Sequence, residues 1–336
     1  MDNRRFASLL AVTSAMVLFS GMVLMGQEPV KLTRAGDTIA VEIGGKLFTT
    51  YYFSSQAPKP YLHPLRSAQG VIVTRQWPMV KGISGEDHDH PHHRGLFFAH
   101  GDINGVDFWG EKLLNKKAET ARGVYYASGE LPKGTTEFRK LEEDQSGPHS
   151  GTIRADFDLV GPDGKVMGAE TQAYTFHGDK NDRIIDCTFI LRATNVPLKM
   201  GDTKEGTFAI RVVHALDSPP STMVNSNGAV GEKDIWGKKA NWVNYDGTVD
   251  GEPLGIAIFD NPKNLRHPTT WHARGYGLFA VNPFGLHDFE NNPKVDGSYT
   301  TPKGGSLTFR YRVIIHHGDY KQAHIADAYH RYAAGK

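Results

Sequence analysis

The stretch 151–193, GTIRADFDLVGPDGKVMGAETQAYTFHGDKNDRIIDCTFILRA, decides the fold. It reads as three long strands separated by turns at Gly161-Pro162-Asp163-Gly164 and Gly178-Asp179-Lys180-Asn181-Asp182. Such clusters reverse a chain because proline presets φ, glycine accepts positive φ, and Asn or Asp bond to the nearby backbone. In the third strand Ile185, Cys187, Phe189 and Leu191 alternate along one face, as a half-buried strand requires. Cys187 is the only cysteine, so no intramolecular disulfide can form, and its place in this apolar row makes it a buried structural thiol.

Outward from this core the pattern continues. TIAVEIGGKLFTTYYF (38–53) reads as strand, Gly-Gly turn, strand. GTFAIRVVHAL (206–216), GIAIFD (255–260), GYGLFAVNPF (275–284) and GSLTFRYRVIIHHG (305–318) add further strands, with Tyr311, Val313 and Ile315 alternating with Arg310, Arg312 and Ile314. Only the tail 319–336 has helical spacing, with Ile325, Ala328, Tyr329 and Tyr332 on one stripe. Pro219 to Tyr245 is the longest irregular segment and reads as a surface excursion. Short alternating segments between turn signals predict an all-β fold: a large antiparallel β-sandwich over residues 30–336, ending in a short helix.

At the N-terminus, Arg4 and Arg5 precede an apolar run from Phe6 to Met25, followed by Gly26. A basic segment before an apolar one is the pattern of a secretory signal peptide, here residues 1–26, and implies a periplasmic or secreted protein. Leu24 stands where a small residue is preferred before cleavage, so an uncleaved N-terminal membrane anchor is the alternative. Beyond this segment no apolar run approaches the ~20 residues that cross a bilayer. The 336 residues carry 38 basic and 37 acidic side chains, well interspersed, which excludes the basic stripe of a nucleic-acid partner.

The densest chemistry lies in GEDHDHPHHRGLFFAHGDINGVDFW (85–109), which holds His88, His90, His92, His93 and His100 with Arg94, Asp102, Asn104 and Trp109. Gly85, Pro91 and Gly95 predict a loop, and Leu96–His100 a strand. Imidazoles titrate near neutral pH and bind divalent metals when neutral, so the cluster suits proton transfer or coordination. If the loop is extended, His88, His90 and His92 project to one side and are the metal candidates. No cofactor is fixed; a divalent metal is the candidate. His-Asp-His-Pro-His-His also departs from the HxHxDH ligand motif of binuclear zinc enzymes, with His92 where Asp is required.

KEGTFAIRVVH (204–214) supplies a second group. Glu205, Thr207 and Arg211 share one face of this strand, and Phe208, Ile210, Val212 and His214 the other. A carboxylate and a guanidinium on one face suit sugar hydroxyls or a substrate carboxylate, or a plain surface salt bridge. His272, Asn282 and His316 complete the candidates. His93, His100 and Glu205 are expected as catalytic groups. His90, Arg94, Asp102, Asn104, Trp109, Arg211, His272, Asn282 and His316 are expected to bind substrate. His90, His93, His100, Glu205 and Arg211 are expected to converge.

The segments DHPHHRG (89–95), HGDINGVDFW (100–109), KEGTFAIR (204–211), DGEPLGIAIFDNPKNLRHPTTWH (250–272), NPFG (282–285) and IHHG (315–318) together resemble the bacterial family labelled methane oxygenase PmoA-like, a domain of unknown function. They span nearly the whole mature chain in consistent order. A true methane monooxygenase subunit is a polytopic membrane protein, and this chain lacks the spans. The family's occurrence in glycan-degrading bacteria implies a sugar-related role. Its β-rich pattern is similar to the supersandwich of aldose epimerases, whose His and Glu would have His100 or His93 and Glu205 as distant counterparts.

Three functions are therefore weighed. The first is a carbohydrate-active hydrolase, lyase or epimerase with a small-molecule or glycan substrate. The second is a non-catalytic glycan-binding module, with histidines dispersed around an aromatic platform. The third is a metal-dependent oxidoreductase.

Overall fold

A computed structural model describes residues 27–54, 57–111, 118–120, 123–125 and 131–335. The export segment 1–26 lies outside the described residues. Two antiparallel sheets face each other. The nine-stranded sheet runs, in spatial order, Val30–Ala35, Thr38–Ile43, Lys46–Tyr52, Tyr61–His63, Leu96–His100, Gly206–Arg211, Leu278–Val281, Thr269–Ala273 and Lys239–Ala240. The eight-stranded sheet runs Thr222–Asn225, Trp242–Val249, Glu252–Asp260, Ser306–His317, Arg183–Arg192, Val166–His177, Ser150–Val160 and Thr135–Gln145.

The three strands expected over 151–193 are present and paired in register, Phe157 to Glu170 to Leu191. Gly44 and Gly45 take positive φ and close the expected hairpin between Thr38–Ile43 and Lys46–Tyr52, as a two-residue turn demands. Each strand turns its apolar alternate residues into one continuous core between the sheets. Phe98 of one sheet stacks on Phe189 of the other at 4.3 Å, and Phe208 on Tyr311 at 4.7 Å. Aromatic pairs at such spacing add to the area they remove from water. Cys187 is buried among these residues.

The outer faces differ. The C-terminal helix Ile325–Ala333 lays Ile325, Tyr329 and Tyr332 over Trp242, Phe259 and Ile314 on the eight-stranded sheet. The outer face of the nine-stranded sheet buries its own small cluster, Tyr61, Phe97, Ala99, Trp109, Ala209, Leu278 and Ala280.

Two expectations change. The segment Pro219 to Tyr245 is no plain excursion: Thr222–Asn225 forms an edge of one sheet and Lys239–Ala240 an edge of the other, with the one-turn helix Glu232–Ile235 between them. Its strands are too short to show a period. Another single turn, Leu286–Phe289, likewise lacks a repeat from which helix could be read. Among the described residues no helix is long and apolar enough to cross a membrane.

Candidate functional site

The site is built on the outer face of the nine-stranded sheet, where three segments are stitched together by backbone bonds. Arg211 N–H donates to Gly95 O at 2.9 Å, and Arg75 N–H donates to Arg211 O at 3.0 Å. Gly95 is obligatory here: φ is +56°, and a Cβ would stand 2.2 Å from Leu62 O. The histidine loop is thereby pressed onto the sheet.

Asp89 is the electrostatic centre. Its Oδ1 accepts from Arg75 at 2.6 Å and Arg211 at 2.9 Å, and its Oδ2 pairs with His90 Nδ1 at 2.9 Å. Burial would raise this carboxyl, but the His90 hydrogen bond and the two guanidiniums hold it well below the usual carboxylate range. Arg75 also donates to the carbonyls of Asp89 and His90 at 2.8 Å each, so a positively charged clip fixes the loop's path. Both arginine side chains are only 2% exposed.

From this clip a stacked series crosses the sheet. Trp236 packs on the Arg274 guanidinium at 6.0 Å, and Arg274 packs over Tyr276 at 5.4 Å. Tyr276 stacks on His90 at 5.1 Å, and His90 on His93 at 4.8 Å, each pair with an interplanar angle of 5°. His93 meets Trp109 edge-on at 5.5 Å and His92 at 4.5 Å. Arg211 lies over Tyr276 at 4.7 Å and brings Nη1 to 3.4 Å from His93 Nδ1.

Burial pushes His92 and His93 well below the ordinary imidazole value, helped by neighbouring cations and by His90, and for His93 by His92 as well. Both are therefore neutral at working pH. His92 Nδ1, His93 Nε2 and Trp109 Nε1 are buried without a partner. His272, opposite Ala280 on the same face, uses Nδ1 on Lys204 O at 2.7 Å and leaves Nε2 buried and unpartnered. Glu205, 28% exposed, has a carboxyl raised by burial; Lys204, 3.7 Å away, opposes that shift, and Asp107 and Asp288 reinforce it.

Most other cations of this face are neutralised within the protein. Glu111 takes Arg94 in a two-pronged pair at 2.6 and 2.9 Å and Lys59 at 3.4 Å. Lys133 pairs with Asp107, and Arg274 with Glu232 at 2.8 Å.

The expected residues divide. His90, His92, His93, Arg94, Trp109, Glu205, Arg211 and His272 share this face. His100 does not: strand alternation turns it, with Leu96 and Phe98, toward the core, where Nε2 bonds Gly201 O at 2.9 Å and the ring packs on Phe284 at 4.9 Å. Asp102 accepts from Gly105 N–H at 2.8 Å, and Asn104 clamps Pro197 O and Lys199 N, so both shape a turn. Asn282 donates to the carbonyls of Thr203 and Lys204 at 2.9 Å and holds the backbone beside Glu205. His316 lies on the other sheet, bonded to Asn244 at 2.8 Å. His214 leaves the strand expected for it, because the strand ends at Arg211; it sits in a turn, 59% exposed and paired with Asp217. His88 stacks on Trp77 at 5.0 Å, outside the histidine stack. Among the described residues no group of three or more His, Cys, Asp or Glu is disposed to hold a metal ion.

Sequence reading missed Arg75, Asp89 and Tyr276. Arg75 and Tyr276 sit in stretches with no motif, and Asp89 is one carboxylate in a loop dense with polar residues. The available signal was a lone arginine ending the apolar-flanked run VIVTR (71–75).

The sequence profile of a family of unknown function, DUF6807, matches residues 38–330. No curated protein sequence matches significantly. Among solved structures, the chain is similar to an alpha-galactosidase from Lactobacillus brevis, with 7% identity and a TM-score of 0.41, covering 88% of this chain and 40% of that one. A GH36 alpha-galactosidase from Geobacillus stearothermophilus gives 10% identity and a TM-score of 0.40, covering 86% and 41%. A galactose mutarotase related enzyme from Lactobacillus acidophilus gives 10% identity and a TM-score of 0.31, covering 86% and 98%. The chain thus spans about two fifths of the length of the two alpha-galactosidases.

Proposed function

We propose that this chain, which belongs to the family of unknown function DUF6807, is an exported enzyme performing proton transfer on neutral carbohydrate at the outer face of its nine-stranded sheet. The observation that carries this reading is the set of buried ring nitrogens without partners: His92 Nδ1, His93 Nε2, Trp109 Nε1 and His272 Nε2. A buried polar atom left unpaired costs about 1–3 kcal/mol, so these four call for a ligand that completes them. All four belong to neutral rings, and the cations beside them are paired internally. Their complement is an uncharged molecule whose hydroxyls both donate and accept, as a sugar's do, with Trp109, Trp236 and Tyr276 as apolar surface for its ring.

His93, neutral and oriented by Arg211, is the proposed hydrogen-bond donor that polarises a substrate oxygen through its Nε2–H, and Glu205, with its raised carboxyl, the proposed proton-transferring acid. A neutral imidazole N–H steadies charge that develops on that oxygen, and a carboxyl raised by burial keeps its proton to a higher pH, so the two roles are complementary. Arg75, Asp89 and His90 position His93. Hydrolysis, elimination and epimerisation can each use a proton donor beside a polarised oxygen, so the reading extends to that shared step. A non-catalytic glycan-binding module is the second reading, favoured by the stacked series from Trp236 to His93; the concentration of histidines favours the enzyme. Export rests on Arg4, Arg5 and the apolar run to Met25.

The test is elemental analysis of the purified protein, then a screen of neutral glycans and ketosugars for turnover and binding. His93→Gln should abolish turnover. Absence of both binding and turnover with every neutral sugar would sink the proposal.

A further inference from the structure

A second group on the same outer face takes no part in the chemistry above. His63 ends the strand Tyr61–His63 at 2% exposure, and neither of its ring nitrogens has a hydrogen-bond partner. Arg66, three residues on, has a buried Nη1 that is also unpartnered, and no carboxylate pairs with it among the described residues. Its guanidinium is depressed by burial, and Tyr52 is the one group offsetting that.

The neighbourhood supplies walls but no counter-charge. Gly95 brings the histidine loop against His63: a Cβ on Gly95 would stand 3.2 Å from that of His63. Arg94, next in sequence, is committed to Glu111 and lies 5.6 Å over the ring of Tyr61. Tyr61 in turn stacks on Tyr52 at 5.0 Å with an interplanar angle of 13°. Burial, then Arg66 and Arg94, lower His63 to about 4, so it is neutral and offers one N–H. A half-buried cation with one buried, unpartnered N–H group and no carboxylate, beside a buried imidazole without an acceptor, is an incomplete arrangement, and one bound anion completes both.

We propose that Arg66 and His63 form an anion-binding subsite that takes a single oxoanion, such as the carboxylate of a sugar acid. The guanidinium provides the charge and the imidazole N–H a second donor, while the Tyr52–Tyr61 stack gives an attached ring a flat surface. This subsite does not depend on the carbohydrate chemistry assigned to the histidine stack.

The experiment is isothermal titration of the full chain with sodium glucuronate, inorganic phosphate and, as the uncharged control, glucose. One equivalent of glucuronate or phosphate should bind, more weakly as sodium chloride is raised. Arg66→Gln should weaken it at least about tenfold, the size of one charge-assisted hydrogen bond, and leave binding of neutral sugars unchanged. Tighter binding of glucuronate than of phosphate identifies a sugar acid; equal binding identifies a free oxoanion. In the wild-type protein the His63 ring-nitrogen resonances should also shift on saturation, a readout that needs no variant to fold. Failure of both anions to bind, an unchanged affinity in Arg66→Gln, or unmoved His63 resonances would each overturn the subsite. Loss of neutral-sugar binding alone would count against the histidine stack and not against Arg66.

Discussion

Arg211 and His93 are 118 residues apart in sequence, yet the guanidinium Nη1 lies 3.4 Å from the imidazole Nδ1. The contact follows from strand pairing: Leu96–His100 lies beside Gly206–Arg211, so the loop that precedes the first strand folds over the end of the second. A guanidinium has no acceptor. His93 Nδ1 must therefore accept, which places the ring proton on Nε2 and leaves that N–H for a ligand.

His93→Gln and His100→Gln should part company. The first should remove turnover of a neutral sugar, because His93 Nε2 is the unpartnered imidazole nitrogen at the end of the stack. The second should leave turnover within a few-fold and lower the unfolding midpoint, since His100 serves a buried bond to Gly201 O. Equal loss of activity in the two variants would contradict this division.

Asp89→Asn should be severe for stability. It keeps the side-chain shape but leaves Arg75 and Arg211 as buried guanidiniums without a counter-charge. Breaking a buried pair from one side costs about 3–5 kcal/mol, readable by urea denaturation. A change below about 1 kcal/mol would show that solvent screens the clip.

Glu205→Gln should change the pH–rate profile. As an acid with a carboxyl raised by burial, Glu205 is protonated at low pH, and activity should fall as pH rises through its raised value. The variant should be slow and lack that limb. A limb that persists in it would assign the titration to another group.

Acid should destabilise the fold. His63, His100 and His316 are lowered to about 4, His272 to about 3, and His92 and His93 lie well below the ordinary value, burial being the main cause in each. Below about 6.5 the unfolded chain binds protons that the folded one refuses. This stability is full above pH ~6.5 and is lost as pH falls toward 4. Glu170, raised to about 7, and Asp182 and Asp246, raised to about 6, act in the opposite sense, as do Glu205, Asp217 and Asp260, which are raised less, so the histidines outweigh them. The thermal midpoint should drop between pH 7 and 5; a rise would reverse the assignment.

Cell fractionation should find the protein outside the cytoplasm and lacking residues 1–26. A cytoplasmic pool with an intact N-terminus would refute export.

The fold was legible because alternation is local: Ile185, Cys187, Phe189 and Leu191 declare their face without knowledge of any partner. The site was legible in part. Histidines are rare and chemically conspicuous, so the loop stood out, and Arg211 stood out as a charge in an apolar strand. His100 was misplaced because proximity in sequence to His93 hides a reversal of face: it sits on the core side, with Leu96 and Phe98. Tyr276 and Arg75 were invisible because their importance lies in what stacks on them across the sheet, which no local pattern records. Likewise, His316 shares a motif with no spatial tie to the loop.

The single carboxylate that Arg75 and Arg211 share has a consequence for descent. Neither arginine can be altered independently of the other without changing what Asp89 must neutralise, so the three positions are expected to vary as one unit among natural relatives. A lineage that abandons Asp89 should also abandon at least one of the arginines, and with it the orientation of His93. Divergence in this family should therefore come in steps at this clip.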